Sequence, residues 1–428
     1  MVPLKDFSLV SPDIKTGDLL KAIEMAVPAF AIEQAITNTQ KQEERKRSLP
    51  AQLVVSLVIA MSLWSKDSMR DVLKNLIDGM SEAWVKVGKY WRVPCKSAIT
   101  QARQRLGARV MSDLFHHLVR PMGTTETLGA FLNGLRIVVI DGTCFDVPDS
   151  EENARVFGRP SSRPGTVAAF PKVRLVILVE AGTHIIFDAL MCPYRLAERV
   201  RALKLLRSVQ SGMLLIWDRG LHSYAMVQTT VSQRCDYLGR IPANVKFIAE
   251  QALKDGSYKS YIYPSGKLRK KGCQPILLRV IEYTIEHSEN PTEQLTYRLI
   301  TSLLDIEKFP AELLAREYHT RWEVENTIDE LKIHLLGRIP HIRSQKPREV
   351  VQEIYGWLLG HWSVRVLMFQ AATSASVPPL RLSFTGTLRV IRRAIPKFQR
   401  LEPEEFPFFR LVNPRDSGYL VTRTSSPQ

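Results

Sequence analysis

The sequence predicts an α/β fold: a mixed β-sheet with helices packed on it, interrupted by an all-β insertion and flanked by helical regions. Two apolar runs, LRIVVID from residue 135 and MLLIWD from residue 213, each end in an acid, as buried strands do. Residues 1–125 show helical patterning, whereas residues 241–310 are rich in β-branched and aromatic residues between turn signals. Together these three observations predict the fold class.

The charge of the chain indicates a polyanionic partner. Its 428 residues contain 59 Lys and Arg against 43 Asp and Glu, which gives a net charge of +16 and a pI near 9.7. With 45% hydrophobic residues the chain is long enough to bury a large core, and in such a protein this excess most often means nucleic acid. A housekeeping enzyme with a basic surface is the alternative.

The cysteines and the apolar segments exclude several classes of protein. Five widely spaced cysteines without a C-x-x-C pair predict neither a disulfide framework nor a zinc knuckle, and no H-E-x-x-H pattern occurs. The N-terminus lacks the charged and apolar stretches of an export signal. The longest apolar run, Ala51–Trp64, is too short to span a bilayer and predicts a buried helix. We therefore expect a cytoplasmic protein without a membrane partner.

A short basic helix in the N-terminal region is a candidate reader of DNA. We expect its outer face to carry Gln101, Arg103 and Arg105, and Gly107 to close it. A basic helix that follows another helix across a turn is typical of helix-turn-helix proteins, which place it in the major groove. A plain surface helix explains the same pattern equally well.

The central part of the chain predicts the sheet. Residues 135–141 predict a first strand, and residues 172–192 predict two strands joined at Ala181–Gly182. An amphipathic helix over residues 197–211 and a further buried strand over residues 213–217 follow. This order predicts a mixed sheet with helices packed on it.

The insertion after this sheet carries a cluster of cations, which we call the basic tip. It lies on a predicted hairpin and consists of Lys267, Arg269, Lys270 and Lys271. Because four cations share one short turn, we predict that the basic tip contacts DNA.

These patterns predict five regions. They are a helical DNA-binding region (1–130), the first part of the mixed-sheet core (131–240), the β-rich insertion (241–310), the second part of the core (311–375) and a basic helical C-terminal region (376–428).

The stretch REYHTRWEVENTIDELKIHLLG, residues 316–337, predicts a helix with an unusual polar edge. At about 100° per residue, Tyr318, Arg321, Glu325 and Lys332 fall within an arc of about 60° beside the apolar stripe. A carboxylate thus lies between cations on a half-buried edge. The simplest explanation is an ion pair between Arg321 and Glu325, four residues apart.

Three acids are predicted to converge. Asp141 and Asp218 end buried strands, and Glu325 lies on the sheltered helix edge. Carboxylates in one cleft repel each other unless a cation neutralises them, and Mg²⁺ prefers such oxygen ligands. Two ions about 3.5–4 Å apart would support an in-line phosphoryl displacement. Tyr318, Arg321 and Lys332 would then hold a DNA backbone against the metal-bound carboxylate.

Other acids near the same strands compete for this role. Asp146 and Asp149 flank Pro148, which predicts a turn. Asp188 lies on an alternating strand, where we expect it to face solvent. Asp329 lies one turn beyond Glu325 and is a candidate for an acid that supports the metal-binding residues without binding the metal itself.

With these residues identified, the sequence resembles the IS4 family of DDE transposases over essentially its whole length. The resemblance is carried by VVIDGT with Asp141, LIWDRG with Asp218, and a Y-x2-R-x3-E-x6-K signature formed by Tyr318, Arg321, Glu325 and Lys332. It implies an RNase H-like core and cut-and-paste transposition in the bacterial cytoplasm at the nucleoid. It further implies terminal inverted repeats and target DNA as partners, two Mg²⁺ ions with Mn²⁺ as a substitute, a hairpin intermediate and a homodimeric synaptic complex.

One departure from the family pattern concerns the hairpin step. Relatives use an insertion Trp to hold a flipped base, and no Trp lies between Asp218 and Tyr318 here. Aromatic residues that could stack on a base instead are Tyr258, Tyr261, Tyr263 and Phe247. Two other functions compete with an active transposase: a silent relative that only occupies DNA ends, and a junction-resolving nuclease on the same fold.

Overall fold

The computed structural model of the chain describes residues 26–45, 47–78, 93–161, 168–287, 290–337 and 342–394. The chain forms two compact units. Of the described residues, the first unit contains those up to Val119, the segment Val147–Asn153 and those from Asp329 onwards. The second unit contains Arg120–Asp146 and Ala154–Ile328. Residues 1–25 and 395–428 of the predicted terminal regions lie outside the described residues, and the five-region division stays a prediction.

The described helices are α1 (Ala29–Asn38), α2 (Ala51–Leu63), α3 (Met69–Asp78), α4 (Lys96–Leu106), α5 (Ala108–Leu118), α6 (Glu151–Phe157), α7 (Glu198–Leu205), α8 (Tyr224–Ser232), α9 (Gly266–Arg269), α10 (Ala311–Tyr318), α11 (Trp322–Asp329), α12 (Pro347–Ala375) and α13 (Phe384–Ala394). The described strands are β1 (Phe131–Leu132), β2 (Leu135–Asp146), β3 (Lys172–Glu180), β4 (Ile185–Pro193), β5 (Met213–Trp217), β6 (Asp236–Arg240), β7 (Gln251–Ala252), β8 (Tyr258–Ile262), β9 (Ile276–His287) and β10 (Asn290–Thr301).

The first unit is helical, and its core is built by α2 and α12. The sequence of α2 is apolar on nearly all sides, and its side chains are almost all buried, as the sequence predicts. Two glycines of α12 allow the two backbones to approach closely. A Cβ on Gly356 would lie 2.6 Å from the carbonyl oxygen of Val58, and a Cβ on Gly360 would clash with Ser62 Oγ. Among the described residues, no helix is both long and apolar enough to cross a bilayer.

The second unit contains the sheet. The described strands form it in the order β4-β3-β2-β5-β6-β10-β9-β8-β7, and β1 pairs with β2 outside this order. Strands β2, β3 and β4 are antiparallel neighbours, whereas β5 runs parallel to β2 and β6 runs parallel to β5. Three antiparallel strands followed by two parallel ones form an RNase H-like core. The predicted mixed α/β fold is therefore confirmed.

The register of the sheet places the two strand-end acids side by side. Ile140 of β2 pairs with Trp217 of β5 in the parallel register, so Asp141 and Asp218 are the next residues of neighbouring strands. Beyond Asp141, β2 continues to Asp146 and pairs there with β3. The pairing of β5 with β2 thus ends at Ile140, directly before Asp141.

The insertion extends the core sheet. Strand β10 pairs antiparallel with β6, so the hairpin β9–β10 and the strands beyond it continue the same hydrogen-bonded layer. The basic tip connects β8 to β9, as expected for a hairpin, but part of it forms the helical turn α9. The expectation of an insertion made only of strands is therefore wrong at this turn.

The helix predicted over residues 316–337 is not one uniform α-helix. Helix α10 ends at Tyr318, a 3₁₀ turn covers His319–Arg321, α11 follows, and Glu330–Leu335 is π-helical. These changes of helix type alter the rotation per residue. The angle calculated for Lys332 from a constant 100° therefore does not apply.

Candidate active site

Asp141 lies on β2 at the point where β5 ends. Its Oδ1 accepts a hydrogen bond of 2.8 Å from the backbone N–H of Gly142. Burial raises the pKa of Asp141 from 3.8 to about 6, and the nearby carboxylates of Glu198 and Asp218 act in the same direction. The Gly142 N–H and Arg321 oppose this rise without cancelling it. Asp141 is therefore a buried acid that holds its proton more tightly than an ordinary aspartic acid.

Asp218 directly follows β5 and has two polar neighbours. The hydroxyl of Tyr318 donates a hydrogen bond of 3.2 Å to Asp218 Oδ1, and Arg240 Nη1 lies 3.9 Å from the same oxygen. Tyr318 is itself buried. Burial raises the pKa of its phenol, and Asp218 adds to that rise, so Tyr318 is a stable hydrogen-bond donor.

Glu325 is connected to the strand acids through Arg321. Arg321 Nη2 donates a hydrogen bond of 2.8 Å to Glu325 Oε1, and Arg321 Nη1 lies 3.7 Å from Asp141 Oδ2. The ion pair expected from the four-residue spacing is present. Since the Arg321 side chain is only 13% exposed, its charge acts on the acids with little screening by water.

The donor chemistry of these acids suits a hard divalent cation. Carboxylate oxygens are its preferred ligands, and burial, together with the like charges of Glu198 and Asp218, raises the pKa of Asp141, an unfavourable charge that a cation would relieve. Among the described residues, however, no three His, Cys, Asp or Glu side chains are already gathered as a metal-binding group. Instead, the guanidinium of Arg321 contacts both Asp141 and Glu325. The three carboxylates are therefore suitable ligands for a divalent cation, although in this structure Arg321 pairs with two of them.

The structure therefore brings together Asp141, Asp218, Tyr318, Arg321 and Glu325 within the second unit. Lys332, the last residue of the signature, belongs to the first unit and lies in the π-helical segment. Its position relative to the three acids stays a prediction.

The two arginines proposed on the N-terminal helix have different surroundings from those expected. Arg103 is 2% exposed, and its guanidinium donates hydrogen bonds to Gln352 Oε1 at 3.0 Å and Ser344 Oγ at 2.9 Å. The predicted outer-face position of Arg103 is wrong, because the residue fixes α4 within the first unit. Arg105 is partly exposed and donates to Glu43 Oε1 and the Leu49 carbonyl, both at 2.9 Å.

The four cations of the basic tip are all exposed. Arg269 Nε donates a hydrogen bond of 3.2 Å to the Pro264 carbonyl, and its guanidinium lies 5.5 Å from the ring centroid of Tyr263. The charges of the basic tip are thus available to a partner.

Two of the competing acids have well-defined partners elsewhere. Asp188 is buried and accepts hydrogen bonds from Arg207 and Ser208, so the expectation that it faces solvent is wrong. Asp146 is the last residue of β2, where a turn was expected, and its Oδ1 lies 2.7 Å from Lys172 Nζ.

Three residues near the site were missed by sequence reasoning. Arg240 lies 4.1 Å from the ring centroid of Tyr297, and Tyr297 also approaches the ring of Tyr318 at 6.4 Å. Glu198 acts on Asp141 from the start of α7. Each comes from a different element, and none belongs to a local motif, so only the sheet topology could have revealed them.

Comparisons with known proteins match most of the chain. Residues 18–116 match a family model described as "Insertion element 4 transposase N-terminal", and residues 132–362 match one described as "Transposase DDE domain".

Two proteins of Escherichia coli (strain K12) are similar to the chain. "Transposase InsG for insertion sequence element IS4" is 25% identical over 369 residues, which cover 85% of this chain and 80% of that protein. "Putative transposase InsZ" is 28% identical over 235 residues, which cover 55% of this chain and 75% of that protein. Among solved structures, a cryo-EM structure of the piggyBac transposase synaptic complex with hairpin DNA matches with a TM-score of 0.49 and 13% identity, covering 94% of this chain and 83% of that one.

Proposed function

The chain belongs to the IS4 family of DDE transposases, and from this premise we propose that Asp141, Asp218 and Glu325 are its catalytic acids. It is an insertion-sequence transposase, an enzyme that cleaves DNA and transfers strands. The observation that carries the proposal is the position of Asp141 beside Asp218 on neighbouring parallel strands, with Glu325 joined to Asp141 through Arg321. Three elements distant in sequence thereby contribute one acid each.

DDE transposases use divalent metal ions, and we propose Mg²⁺ here, with Mn²⁺ able to replace it. Two bound ions would activate the attacking water and stabilise the leaving oxygen of the scissile phosphate. Asp141, Asp218 and Glu325 would hold these ions through their carboxylate oxygens. Arg321, released from Glu325, would be available to a DNA phosphate, and Tyr318 would keep Asp218 oriented through its hydrogen bond.

The proposed substrate is double-stranded DNA: the terminal inverted repeats of the element and then its target. The net charge of +16 supports this choice, since phosphate neutralisation dominates the affinity of proteins for DNA. The exposed basic tip and Lys332 are the proposed contacts to the backbone, with Arg105 as a further one in the N-terminal region. Arg103 is no longer a candidate because it is buried.

For a hairpin step, we propose Tyr297 as the aromatic residue that stacks on an extruded base. Tyr297 lies next to Tyr318 and Arg240, and both of these residues contact Asp218. Base–aromatic stacking beside the reacting phosphate is what such a step requires. Within the part of the chain that the structure describes, the four aromatic residues considered from sequence have no such contact with a residue that touches a candidate acid. We further propose that the active form is a homodimer that pairs two element ends in the bacterial cytoplasm.

The decisive experiment uses the DNA that flanks the gene. Purified protein is incubated with labelled duplexes covering both flanks, in Mg²⁺ or EDTA, beside Glu325→Gln and the control Glu312→Gln, an exposed acid of α10. We expect metal-dependent cuts at both element ends by the wild type and the control. Glu325→Gln should lose cleavage by at least about 100-fold while it still binds the ends.

Three other results would contradict the proposal. Equal cleavage by wild type and Glu325→Gln would remove Glu325 from the catalytic set. Binding to the ends without cuts in any metal would indicate a silent end-binding protein. Cutting of DNA junctions without preference for the ends would indicate a junction-resolving nuclease.

A further inference from the structure

A fourth carboxylate lies against the strand that carries Asp141. Glu198 is the first residue of α7, and its side chain is 27% exposed. It lies against Gly142 of β2, the residue directly after Asp141. A Cβ on Gly142 would lie 2.5 Å from the carboxyl carbon of Glu198 and 2.8 Å from each carboxylate oxygen. The Glu198 carboxylate therefore fills the space that a side chain at position 142 would occupy.

The Glu198 carboxylate is fixed in this position. Arg174 Nη1 lies 3.1 Å from Glu198 Oε2, and the same guanidinium lies 5.4 Å from the ring centroid of Tyr194. Arg174 is on β3, where it pairs in register with Cys144 of β2. Two neighbouring strands and the start of α7 thus hold one negative charge beside Asp141.

This position has an electrostatic consequence for Asp141. Since Gly142 directly follows Asp141 in β2, the Glu198 carboxylate places a further negative charge near the Asp141 carboxyl group. Arg174, which is 18% exposed, offsets part of this charge while its ion pair holds the Glu198 carboxylate in place. A site with one more nearby carboxylate binds a divalent cation more tightly, since affinity rises with the negative charge around the ion.

We propose that Glu198 is a positioning residue of the active site, which strengthens cation binding at Asp141 by placing a fixed fourth negative charge beside it. The inference rests on the proposed function, because it takes Asp141 as a cation ligand. Glu198 acts through Asp141, and a side chain at position 142 would force the Glu198 carboxylate to move away.

The test measures metal binding without DNA. Mn²⁺ is titrated into the full-length protein by calorimetry for the wild type, Glu198→Gln and Asp146→Asn. Asp146, at the end of β2, is the matched control, because like Glu198 it is an acid in an ion pair, with Lys172. We expect Glu198→Gln to raise the dissociation constant for Mn²⁺ about 10-fold, because residues that support metal ligands commonly affect affinity by this much. Asp146→Asn should leave the constant unchanged. An unchanged constant in Glu198→Gln would overturn the inference.

A double-mutant cycle tests the contact itself. Gly142→Ala should weaken Mn²⁺ binding by displacing the Glu198 carboxylate, but should have little further effect in a Glu198→Ala background, where the space is free. Equal, additive effects in both backgrounds would overturn the inference.

Asp141→Asn separates the inference from the proposed function. Loss of Mn²⁺ binding in Asp141→Asn together with unchanged binding in Glu198→Gln would refute only the role of Glu198. Unchanged binding in Asp141→Asn would refute the proposed metal site itself. Circular dichroism melts confirm that each variant is folded before it is titrated.

Discussion

Arg321 connects two of the three acids, and this makes it the residue most sensitive to the presence of metal. Its guanidinium lies 2.8 Å from Glu325 and 3.7 Å from Asp141. We expect Arg321→Gln to lower the free energy of unfolding in EDTA by about 1–2 kcal/mol, because both carboxylates lose a charged partner. In Mg²⁺ this loss should shrink, since a bound cation supplies the missing charge. Urea unfolding in the two buffers measures the difference.

The control for this prediction is Arg207→Gln. Arg207 forms an ion pair with buried Asp188 in the same unit, where no metal site is proposed. Arg207→Gln should therefore lower the stability equally in EDTA and in Mg²⁺. If Arg321→Gln behaved in the same metal-independent way, Arg321 would be an ordinary structural ion pair.

The raised pKa of Asp141 predicts a dependence of stability on pH. The carboxyl has a pKa of about 6 when folded, against an ordinary value of 3.8, so the folded protein binds this proton more tightly. The resulting stabilisation is complete below pH 4 and is lost as the pH rises through about 6; it corresponds to about 3 kcal/mol. In EDTA, the stability of the wild type relative to Asp141→Asn should thus fall between pH 4 and pH 7.

Denaturant unfolding of both proteins across this pH range checks the prediction. Parallel curves would mean that the folded state does not perturb Asp141. A gap that widened in favour of the wild type with rising pH would mean that nearby cations dominate over burial.

Sequence patterns predicted single residues correctly where the prediction depends only on neighbouring residues in the chain. Asp141 and Asp218 follow apolar runs, and the Arg321–Glu325 pair follows from a four-residue interval. They failed where burial depends on distant segments. Arg103 is a cation on a polar helix, and only residues of α12 and the loop before it reveal that it is buried.

Among the strands, β5 and β6 support Asp218 through a tight contact. A Cβ on Gly239 would clash with the indole of Trp217, and the Trp217 ring also stacks on the ring of Tyr237 at a centroid distance of 5.2 Å. Since Trp217 directly precedes Asp218, we expect Gly239→Ala to lower the free energy of unfolding by about 1–3 kcal/mol and to reduce cleavage through a displaced Asp218. Thermal unfolding and the flanking-DNA assay measure the two effects.

Gly266→Ala provides the comparison, because nothing lies within 4 Å of a Cβ at that position in α9. This variant should keep the stability and cleavage of the wild type. A Gly239→Ala protein with unchanged stability would show that Trp217 can move aside at no cost.

The periodicity of apolar residues predicted the main elements of the sheet but not the details of the signature helix. Strands β2 and β5 contain continuous runs of apolar residues, and this pattern alone is enough to predict them. The change from α- to 3₁₀- to π-helix between α10 and Leu335 does not follow from the spacing of apolar residues. Angular arguments about Lys332 therefore exceeded what the sequence could support.

The charge of the whole molecule predicts how its affinity for DNA depends on salt. Replacing all four cations of the basic tip with Gln should weaken binding to any duplex and reduce the slope of log affinity against log salt by up to about 3–4, if each cation neutralises one phosphate. Fluorescence anisotropy at several salt concentrations gives both quantities. A variant with Lys and Arg exchanged at the four positions keeps the charge and should keep the slope. An unchanged slope in the Gln variant would place the DNA elsewhere.

The general features of the molecule were accessible from sequence because they depend on composition and order. The basic charge, the succession of strands and the late helix were enough to predict the α/β class and a resemblance to a family. The division into two units was not accessible, because Val147–Asn153 joins the first unit from within a region that otherwise belongs to the second. Neither the periodicity of apolar residues nor the charge of this segment indicates which unit it joins.

The pairing of β10 with β6 limits how this enzyme can be redesigned. A smaller version with the insertion excised would leave the β6 edge of the central layer without a hydrogen-bonded neighbour. Open edges of this kind recruit strands from other molecules, so the shortened protein should self-associate. Engineers who want a minimal transposase would need to cap that edge, for example with a charged or proline-containing strand, before shortening the chain.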